Sequence, residues 1–290
     1  METNVKPLLK WIGGKTQIIN QIINLFPIKI KNYHEPFIGG ASVLLKLLEK
    51  QKEGSIIITN KIYAYDLNKE LIEFYKIIQN EPIKFYKVIK KIIKKYNLTD
   101  NKEQFYYSMR GLYNNIKINN IKINNIKINN IKKSALFLFL NKTGFRGLFR
   151  ESNKGFNVPY GNYNNPEIIN YNNLLNFSNL IKNVIFINDS FENSLIKIKK
   201  KDFVYLDPPY YPENKISFTN YTNEGFDLET HTKLFNICLK MKNKFIISNS
   251  NTEFVKQFFK NYKINKIKVK RRINPDNPNS FTNELIIKNY

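Results

Sequence analysis

The chain is poor in several residue types on which common kinds of site depend. It contains one cysteine and two histidines among 290 residues, which excludes an internal disulfide, a zinc site built on cysteines and a histidine-rich metal centre. The single thiol, Cys238, lies in an apolar stretch with helical spacing, where a buried and inert side chain is expected rather than a nucleophile. We therefore predict a protein that binds no metal.

Long apolar segments are absent as well. No run of about 18 uncharged apolar residues occurs, so we expect no transmembrane helix. Residues 1–6 lack the apolar stretch of a secretory signal. These absences predict an intracellular, cytoplasmic protein without a membrane partner.

Negative charge is scarce. The chain has 47 Lys and Arg against 23 Asp and Glu, a formal net charge of +24, and such an excess suits a polyanionic partner. The sequence is also rich in Lys, Asn and Ile, which AT-rich codons would give whatever the function. Lys-rich segments such as 87–95 equally fit amphipathic helices with a solvated face. Composition alone leaves both interpretations open.

Strand and helix patterns alternate at both ends of the chain. Strand-like segments are 28–37, 55–65, 184–188, 203–206 and 245–248. Helix-like segments are 41–50, 67–79, 228–242 and 252–260, and Asp227 is predicted as the N-cap of the third of these. Segments 262–271 and 285–288 look like a closing antiparallel pair. This alternation predicts an α/β domain on a parallel sheet, formed by residues 1–79 and 181–290. Residues 80–180 break the pattern and are predicted to form an inserted module.

A low-complexity repeat lies inside the insertion, at 114–132. The unit Asn-Asn-Ile-Lys-Ile begins at Asn114, recurs at Asn119 and Asn124, and is truncated at Asn129. Its five-residue period matches neither a helix nor a strand. We predict an expanded loop or a frayed extension of a helix.

One segment combines a buried strand with an abrupt polar stop. The apolar run 203–206 is followed by Asp207, Pro208, Pro209 and Tyr210. The prolines end the strand, so Asp207 is placed at a carboxyl end, where open α/β sheets bind ligands. An acceptor, a rigid turn and an aromatic face suit a planar ring that carries an exocyclic amino group. The alternative is a simple turn, because Asp and Pro are common turn residues.

Two glycine motifs precede this segment. Residues 10–15 read Lys-Trp-Ile-Gly-Gly-Lys, and residues 35–40 read Glu-Pro-Phe-Ile-Gly-Gly before a helix. The second motif lacks the spacing of a pyrophosphate-binding loop, so a ligand with an adenosine and a charged amino-acid tail fits better. Asp66, at the end of the next strand, is placed to accept hydrogen bonds from ribose hydroxyls; alternatively it caps the following helix. Trp11 could stack on such a ligand or pack in the core.

The segment 141–161 interleaves aromatic residues, arginines and tight turns. Such a surface can place arginines on guanine edges and wedge apolar groups into a base stack. The alternative is a hairpin with a few exposed basic residues.

Taken in order, these motifs resemble the Dam-type family of DNA adenine-N6 methyltransferases, which use S-adenosylmethionine. The resemblance spans Leu8 to Ile287 and rests on residues 10–15, 35–40, 66–68, 141–161, 189–191, 207–210, 218–221 and 247–249. It implies a Rossmann-like methyltransferase sheet, mostly parallel with a C-terminal antiparallel strand, and an inserted, mainly helical target-recognition domain at 80–180. Duplex DNA is the implied partner, with GATC as the family's expected site, and a cognate restriction endonuclease is left open.

The resemblance also assigns roles to individual residues. The implied catalytic group is Asp207, Pro208, Pro209 and Tyr210. The implied cofactor contacts are Trp11, Lys15, Phe37, Gly39, Asp66, Asp189, Phe191 and Asp207. The implied DNA contacts are Lys10, Asn141, Phe145, Arg146, Arg150, Asn157 and Tyr160. Arg146 stands where the family often has Asn, and the five-residue repeat has no recognised counterpart.

Other functions compete with this interpretation. The same amino-group chemistry serves cytosine N4 or adenine in RNA, and the positive charge alone would suit a non-catalytic DNA-binding protein. A small-molecule or protein methyltransferase would fit the sheet but would leave the basic insertion unexplained. Cytosine-C5 methylation is excluded, because it needs a cysteine nucleophile and Cys238 lies in no Pro-Cys motif.

Overall fold

The computed structural model describes residues 4–119, 126–213, 226–270 and 281–290. The strands of this part are β1 (Lys29–Ile30), β2 (Tyr33–Glu35), β3 (Ile57–Ile58), β4 (Ile62–Asp66), β5 (Glu151–Ser152), β6 (Gly155–Phe156), β7 (Val184–Asn188), β8 (Phe203–Leu206), β9 (Lys244–Ser250), β10 (Lys263–Lys270) and β11 (Phe281–Lys288). The α-helices are α1 (Ile19–Ile23), α2 (Ser42–Lys52), α3 (Lys69–Asn80), α4 (Pro82–Leu98), α5 (Lys102–Asn119), α6 (Ile126–Thr143), α7 (Tyr171–Leu180), α8 (Phe191–Ile196), α9 (Leu228–Lys240) and α10 (Glu253–Phe258), with a 3-10 turn at Phe145–Gly147. The motif at 218–221, the predicted strand end at Arg271 and residues 120–125 of the repeat lie outside the described residues.

The main sheet has seven strands in the order β10-β11-β9-β8-β2-β4-β7. Strands β9, β8, β2 and β4 run parallel to their neighbours in this series. Strand β11 runs antiparallel to both β9 and β10. The predicted α/β fold, with a mostly parallel sheet and a closing antiparallel pair, is therefore confirmed.

The strand order reverses between β2 and β8. From β2 the sheet grows outward through β4 to β7, and the chain then returns to β8 on the other side of β2. At such a reversal, the connections leave neighbouring parallel strands in opposite directions, and a crevice opens at the carboxyl ends. Strand β2 ends at Glu35 and β8 ends at Leu206, so Glu35 and Asp207 both lie where this topology favours ligand binding.

Strand β8 is buried along its whole length. Phe203 is 2% exposed and the next three residues are fully buried. A central parallel strand is covered on both faces, which explains a continuous apolar run rather than an alternating one. Val204 and Leu206 pack in an apolar cluster with Ile247 of β9 and Cys238 of α9. Cys238 is thus a core residue, as predicted, and burial raises the pKa of its thiol.

Local capping explains where several helices begin. The side chain of Asp227 accepts a hydrogen bond from the Thr230 amide, which confirms the predicted N-cap of α9. The alternative that Asp66 caps the next helix is wrong. Asn68 is the N-cap of α3, because its side chain accepts from the Leu71 amide. Asp66 instead ends β4, so helix capping does not account for it.

The chain divides into two compact units. The first comprises residues 1–14, 39–45 and 68–186, and the second comprises residues 15–38, 46–67 and 187–290. In the first unit, α4, α5 and α6 bury aromatic side chains such as Phe85, Tyr96, Tyr113 and Phe139. The second unit holds β8 and β9 with the apolar cluster described above. The functional boundaries at 80 and 180 stay a prediction.

The described part of the repeat is helical. Its residues continue α5 to Asn119 and begin α6 at Ile126. Ile116 and Ile131 are buried, so both flanks of the repeat contribute to the core. This agrees with the predicted helix extension, and the insertion is mainly helical as expected.

Two features are absent from the described residues. No described helix is both long and apolar enough to cross a membrane. The same residues contain no group of three or more His, Cys, Asp or Glu side chains that could hold a metal ion.

Candidate active site

The turn after β8 is the central feature of the second unit. Asp207 is half-buried at the end of the strand, Pro208 is buried and Pro209 is exposed. Neither proline has an N–H to donate, so hydrogen-bonded pairing of the strand cannot continue through them. The result is a rigid turn whose first side chain is a carboxylate.

Lys15 holds that carboxylate. Its Nζ lies 2.8 Å from Asp207 Oδ1, and the two side chains are 4% and 17% exposed. Burial raises the pKa of Asp207 to about 6, because desolvation disfavours the charged form more strongly than Lys15 favours it. At neutral pH most of the carboxyl groups are therefore ionised and act as acceptors.

Tyr210 is held at two points. Lys15 Nζ lies 4.7 Å from the centre of its ring, within the range of a cation–π contact. The phenol donates a hydrogen bond of 2.8 Å to Glu284 Oε2 of β11. Burial raises the pKa of Tyr210, and Asp207 and Glu284 raise it further, so the phenol stays protonated. The ring orientation is thus set by Lys15 on its face and Glu284 at its hydroxyl.

Further polar side chains lie at the carboxyl ends of the neighbouring strands. Glu35 is 2% exposed and accepts a 2.7 Å hydrogen bond from the Tyr33 hydroxyl. Burial raises the pKa of Glu35 well above its usual value. Tyr205 of β8 and Ser248 of β9 share a hydrogen bond of 2.8 Å between their hydroxyls. Glu35, Tyr205 and Ser248 thus each have a hydrogen-bond partner inside the protein.

Strand β9 also fixes the chain after the turn. Asn249 is fully buried, and its Oδ1 accepts a 3.0 Å hydrogen bond from the Tyr211 amide. The same oxygen accepts from the Ser250 amide. The Ile-Ser-Asn segment at 247–249, one of the motifs behind the resemblance, therefore connects the end of β9 to the turn.

Four of the predicted cofactor residues lie close to one another in the second unit. The rings of Phe37 and Phe191 stack with centres 5.7 Å apart. The Asp189 amide donates to the Asp66 carbonyl at 3.2 Å, which joins the ends of β4 and β7. Lys197 pairs with the Asp189 carboxylate and lowers its pKa. The segments that carry these two acidic residues and two apolar rings thus meet at this edge of the sheet.

Trp11 and Gly39, two more predicted cofactor residues, pack against each other in the first unit. A Cβ on Gly39 would lie 3.0 Å from Trp11 Cδ1, and Gly39 has a φ of +46°. Both facts favour glycine at this position. Trp11 is half-buried and its ring lies 6.1 Å from that of Phe149. The structure thus supports a packing role for Trp11, and its contact with a cofactor stays a prediction.

The first unit also contains the predicted DNA contacts, and Asn141 organises part of them. Its Oδ1 accepts from the Lys10 amide at 2.8 Å, and its Nδ2 donates to the carbonyls of Lys10 and Gly147 at 2.7 and 3.0 Å. Asn141 is 3% exposed. The residue therefore holds the Lys10 backbone rather than presenting its amide to solvent.

Phe145, Arg146 and Arg150 are exposed. Arg146 has a φ of +55°, and its amide donates 2.8 Å to the Tyr163 hydroxyl. Arg150 Nε donates to Asn157 Oδ1 at 2.8 Å, which orients the guanidinium. Three basic or aromatic side chains thus face solvent from one short segment.

Tyr160 and Lys10 complete this group. The Tyr160 hydroxyl hydrogen-bonds to that of Tyr96 at 2.9 Å. The ammonium of Lys10 lies 3.9 Å from the centre of the Tyr163 ring, and burial lowers its pKa. The segment also contains the hairpin β5–β6, so the two sequence-based interpretations of 141–161 are compatible.

A family model described as D12 class N6 adenine-specific DNA methyltransferase matches residues 11–273. The chain belongs to this family. The match includes Lys15, Asp66, the turn at Asp207 and the exposed arginines.

Named relatives of this methyltransferase are similar over most or all of their length. The Type II methyltransferase M.MjaIII of Methanocaldococcus jannaschii is 37% identical over 301 residues, covering 99% of both chains. The Type II methyltransferase M.CviBI of Paramecium bursaria Chlorella virus NC1A is 28% identical, covering 99% of this chain and 100% of the relative. The DNA adenine methylase of Haemophilus influenzae is 28% identical, covering 93% and 89%.

Two residues that contact the predicted site residues of this D12 methyltransferase were missed in the sequence analysis. Glu284 contacts Tyr210 from 74 positions away, and the predicted strand 285–288 began one residue after it. Tyr163 lies just beyond the segment 141–161 and contacts both Lys10 and Arg146. The sequence offered only their positions as a signal: Glu284 is a charged residue next to a predicted strand, and Tyr163 is an aromatic residue next to the segment 141–161.

Proposed function

We propose that this protein is a site-specific DNA adenine methyltransferase that transfers a methyl group from S-adenosylmethionine to N6 of an adenine extruded from duplex DNA. The observation that carries the proposal is the arrangement at the turn: Lys15 holds the Asp207 carboxylate while the ring of Tyr210 is fixed beside it. An anionic acceptor next to an oriented aromatic face suits an adenine amino group and the ring that carries it.

The charges around Asp207 fit a cationic cofactor. Within the described part of the chain, Asp207 interacts with one cation, Lys15, and with a second carboxylate, Glu284. This site is therefore locally negative in a chain with a net charge of +24. S-adenosylmethionine carries a sulfonium and an ammonium group, which such carboxylates favour. When bound, it supplies an electrophilic methyl group.

Other side chains of the second unit match the rest of that cofactor. Asp66 supplies a carboxylate for the ribose hydroxyls, as proposed from the sequence, and Asp189 is a further predicted cofactor contact. Phe37 and Phe191 offer stacked apolar rings, which suit an adenine face. We expect these residues and Lys15 to hold the cofactor, and the roles of Trp11 and Gly39 remain predictions.

The target adenine must leave the duplex before Asp207 can reach its amino group. We expect the Asp207 carboxylate and a proline carbonyl of the turn to accept hydrogen bonds from that amino group. Two acceptors would favour a more tetrahedral nitrogen and aim its lone pair. Stacking on Tyr210 would hold the ring, and orientation of this kind contributes on the order of several kcal/mol to catalysis.

Sequence recognition is assigned to the exposed side chains of the first unit. Arg150 and Arg146 can make bidentate contacts with guanine, and Phe145, 42% exposed, can contact a base or thymine methyl. Lys10 reaches DNA from the segment that Asn141 holds. Asn157 and Tyr160 support these residues. GATC is the proposed starting site for assays, and Arg146 in place of the family's Asn makes a different neighbouring base worth testing.

A cognate restriction endonuclease belongs to the same proposal. Two of the relatives are named Type II methyltransferases, a name that associates methylation with protection from cleavage. DNA from cells that express this protein should resist at least one endonuclease whose site contains the methylated adenine.

Substitution of Asp207 tests the proposal. Asp207→Ala should lower the rate of methyl transfer by at least about 10²- to 10³-fold, since an acceptor at the reacting atom is lost, while DNA affinity changes little. Single-turnover rates and fluorescence anisotropy measure the two effects. Glu253→Ala, which removes an exposed carboxylate of α10, is the control. Near-wild-type turnover by Asp207→Ala would overturn the assignment.

A further inference from the structure

A second carboxylate lies beside the active-site turn. Glu284 is half-buried in β11, between Ser250 of β9 and Ile267 of β10 in the register of the sheet. Its Oε2 accepts the 2.8 Å hydrogen bond from the Tyr210 hydroxyl. The antiparallel end of the sheet thus reaches the aromatic ring of the turn through the Glu284 side chain.

The position of Glu284 is electrostatically unfavourable, because its carboxylate lies near that of Asp207. Glu284 raises the pKa of Asp207, which burial has already raised, and it also raises the pKa of Tyr210. A neutral acceptor or an apolar side chain would avoid this repulsion between carboxylates. A charged acceptor makes a shorter and stronger hydrogen bond than a neutral one, so the charge secures the phenol more firmly.

The ring is then restrained in two independent ways. The Lys15 ammonium contacts the ring 4.7 Å from its centre, and the same ammonium pairs with Asp207 at 2.8 Å. Glu284 holds the opposite pole, the hydroxyl. Rotation of the ring would break one of these contacts, so the orientation of Tyr210 is coupled to the carboxylate that is proposed to accept from the substrate.

We infer that Glu284 is a positioning residue of this methyltransferase: its carboxylate orients the Tyr210 ring so that an extruded adenine stacks in register with Asp207. The inference rests on the proposed function. It differs from a purely structural link between β11 and the turn, because a structural link would lower stability and leave the stacking of the target base unchanged.

A double-mutant cycle separates the two roles. We expect Glu284→Ala and Tyr210→Phe each to lower the single-turnover rate by about 10- to 100-fold, the effect of a misplaced reacting group. The double variant should be no slower than the slower single variant, because both changes remove the same hydrogen bond between Tyr210 and Glu284. Glu284→Gln keeps an acceptor and should recover part of the loss. Glu253→Ala, on α10, is the matched control.

The fluorescence of a base analogue reports on base stacking and does not depend on the stability of the protein. A duplex with 2-aminopurine at the target position should fluoresce more strongly with Glu284→Ala than with wild type, because the extruded base stacks less well. Thermal melting identifies a variant that fails to fold, in which case Glu284→Gln and Tyr210→Phe complete the test.

The outcomes are distinct. Losses that multiply in the double variant, or a wild-type rate and wild-type fluorescence in Glu284→Ala, would overturn the inference while leaving the proposed function intact. A wild-type protein that forms no N6-methyladenine would remove the proposed function instead.

Discussion

Asp207 is subject to opposing influences at the scale of a single residue. Burial raises its pKa, Lys15 lowers it and Glu284 raises it again, with a balance near 6. Glu35 and three tyrosines, Tyr33, Tyr205 and Tyr210, also interact with its charge. The carboxylate is therefore ionised at neutral pH but close enough to its pKa to be lost in mild acid.

The rate of methyl transfer should fall as the pH drops through about 6. The ionised form of Asp207 is the acceptor, so protonation removes the hydrogen bond to the substrate amino group. Lys15→Met should move this acid limb upward by about 1 to 3 pH units, because the opposite charge that lowers the pKa is removed. Single-turnover rates from pH 5 to 9 at saturating cofactor measure both profiles. An acid limb that stays in place in Lys15→Met would contradict the electrostatic assignment.

Arg150 is expected to read a base. Truncation to Ala should reduce discrimination between the recognised site and its single-base variants at one position, by about 1–3 kcal/mol, the contribution of one bidentate contact. Competition between duplexes that differ at one base pair measures this loss. Asn157→Ala, which frees the guanidinium of Arg150 from its 2.8 Å partner, should give a smaller loss at the same position. Unchanged discrimination in Arg150→Ala would refute the reading role.

At the scale of elements, the site depends on where strands end. Strand β8 supplies the turn, β9 holds its far side through Asn249, and β11 reaches the ring through Glu284. Each contribution comes from a strand end or from the first half of a strand. The strands therefore set the geometry of Asp207 and Tyr210, which lie in the turn outside the sheet.

Removing the Asn249 anchor should affect both stability and activity. Asn249→Leu leaves the buried amides of Tyr211 and Ser250 without their acceptor, at a cost of about 1–3 kcal/mol in the free energy of unfolding, and loosens the turn. Urea denaturation and single-turnover rates measure the two effects. Thr252→Ala, which removes the N-cap of α10, should cost about 1 kcal/mol and leave the turn intact. If both variants lose the same fraction of activity, the anchoring role of Asn249 is wrong.

Local pattern explains which parts of the fold could be predicted. The bounds of β7 and β8 and the cap of α9 were predicted correctly because a continuous apolar run and an Asp before a helix are signals within a few residues. Strand β11 begins at Phe281, whereas the sequence predicted a start at 285. The prediction missed the first half because Phe281 and Asn283 are exposed and only the second half is a continuous apolar run. The register of β11, and with it the contact of Glu284, depends on tertiary pairing that no local pattern contains.

At the scale of the whole molecule, the net positive charge agrees with a DNA substrate. A chain with a net charge of +24 that belongs to a DNA methyltransferase family is expected to bind duplex through phosphate contacts. The Lys-rich composition alone did not distinguish this from codon usage. The distribution matters more than the sum, since the site around Asp207 is locally negative.

DNA affinity should therefore depend steeply on salt. With about six phosphate contacts, the affinity for non-cognate duplex should fall about 10³-fold between 50 and 200 mM salt, because counterions are released on binding. Fluorescence anisotropy over that range gives the slope. A slope corresponding to one or two contacts would mean that most of the lysines reflect composition rather than DNA binding.

The central claim is that Asp207 directs methyl transfer to an adenine amino group at one DNA site. The most direct measurement is to incubate the purified protein with labelled S-adenosylmethionine and duplex DNA, to identify the modified base by mass spectrometry, and to sequence the methylated positions. The account predicts N6-methyladenine in one sequence context for the wild type and none for Asp207→Ala. N4-methylcytosine, labelled RNA but not DNA, or binding without any product would contradict it.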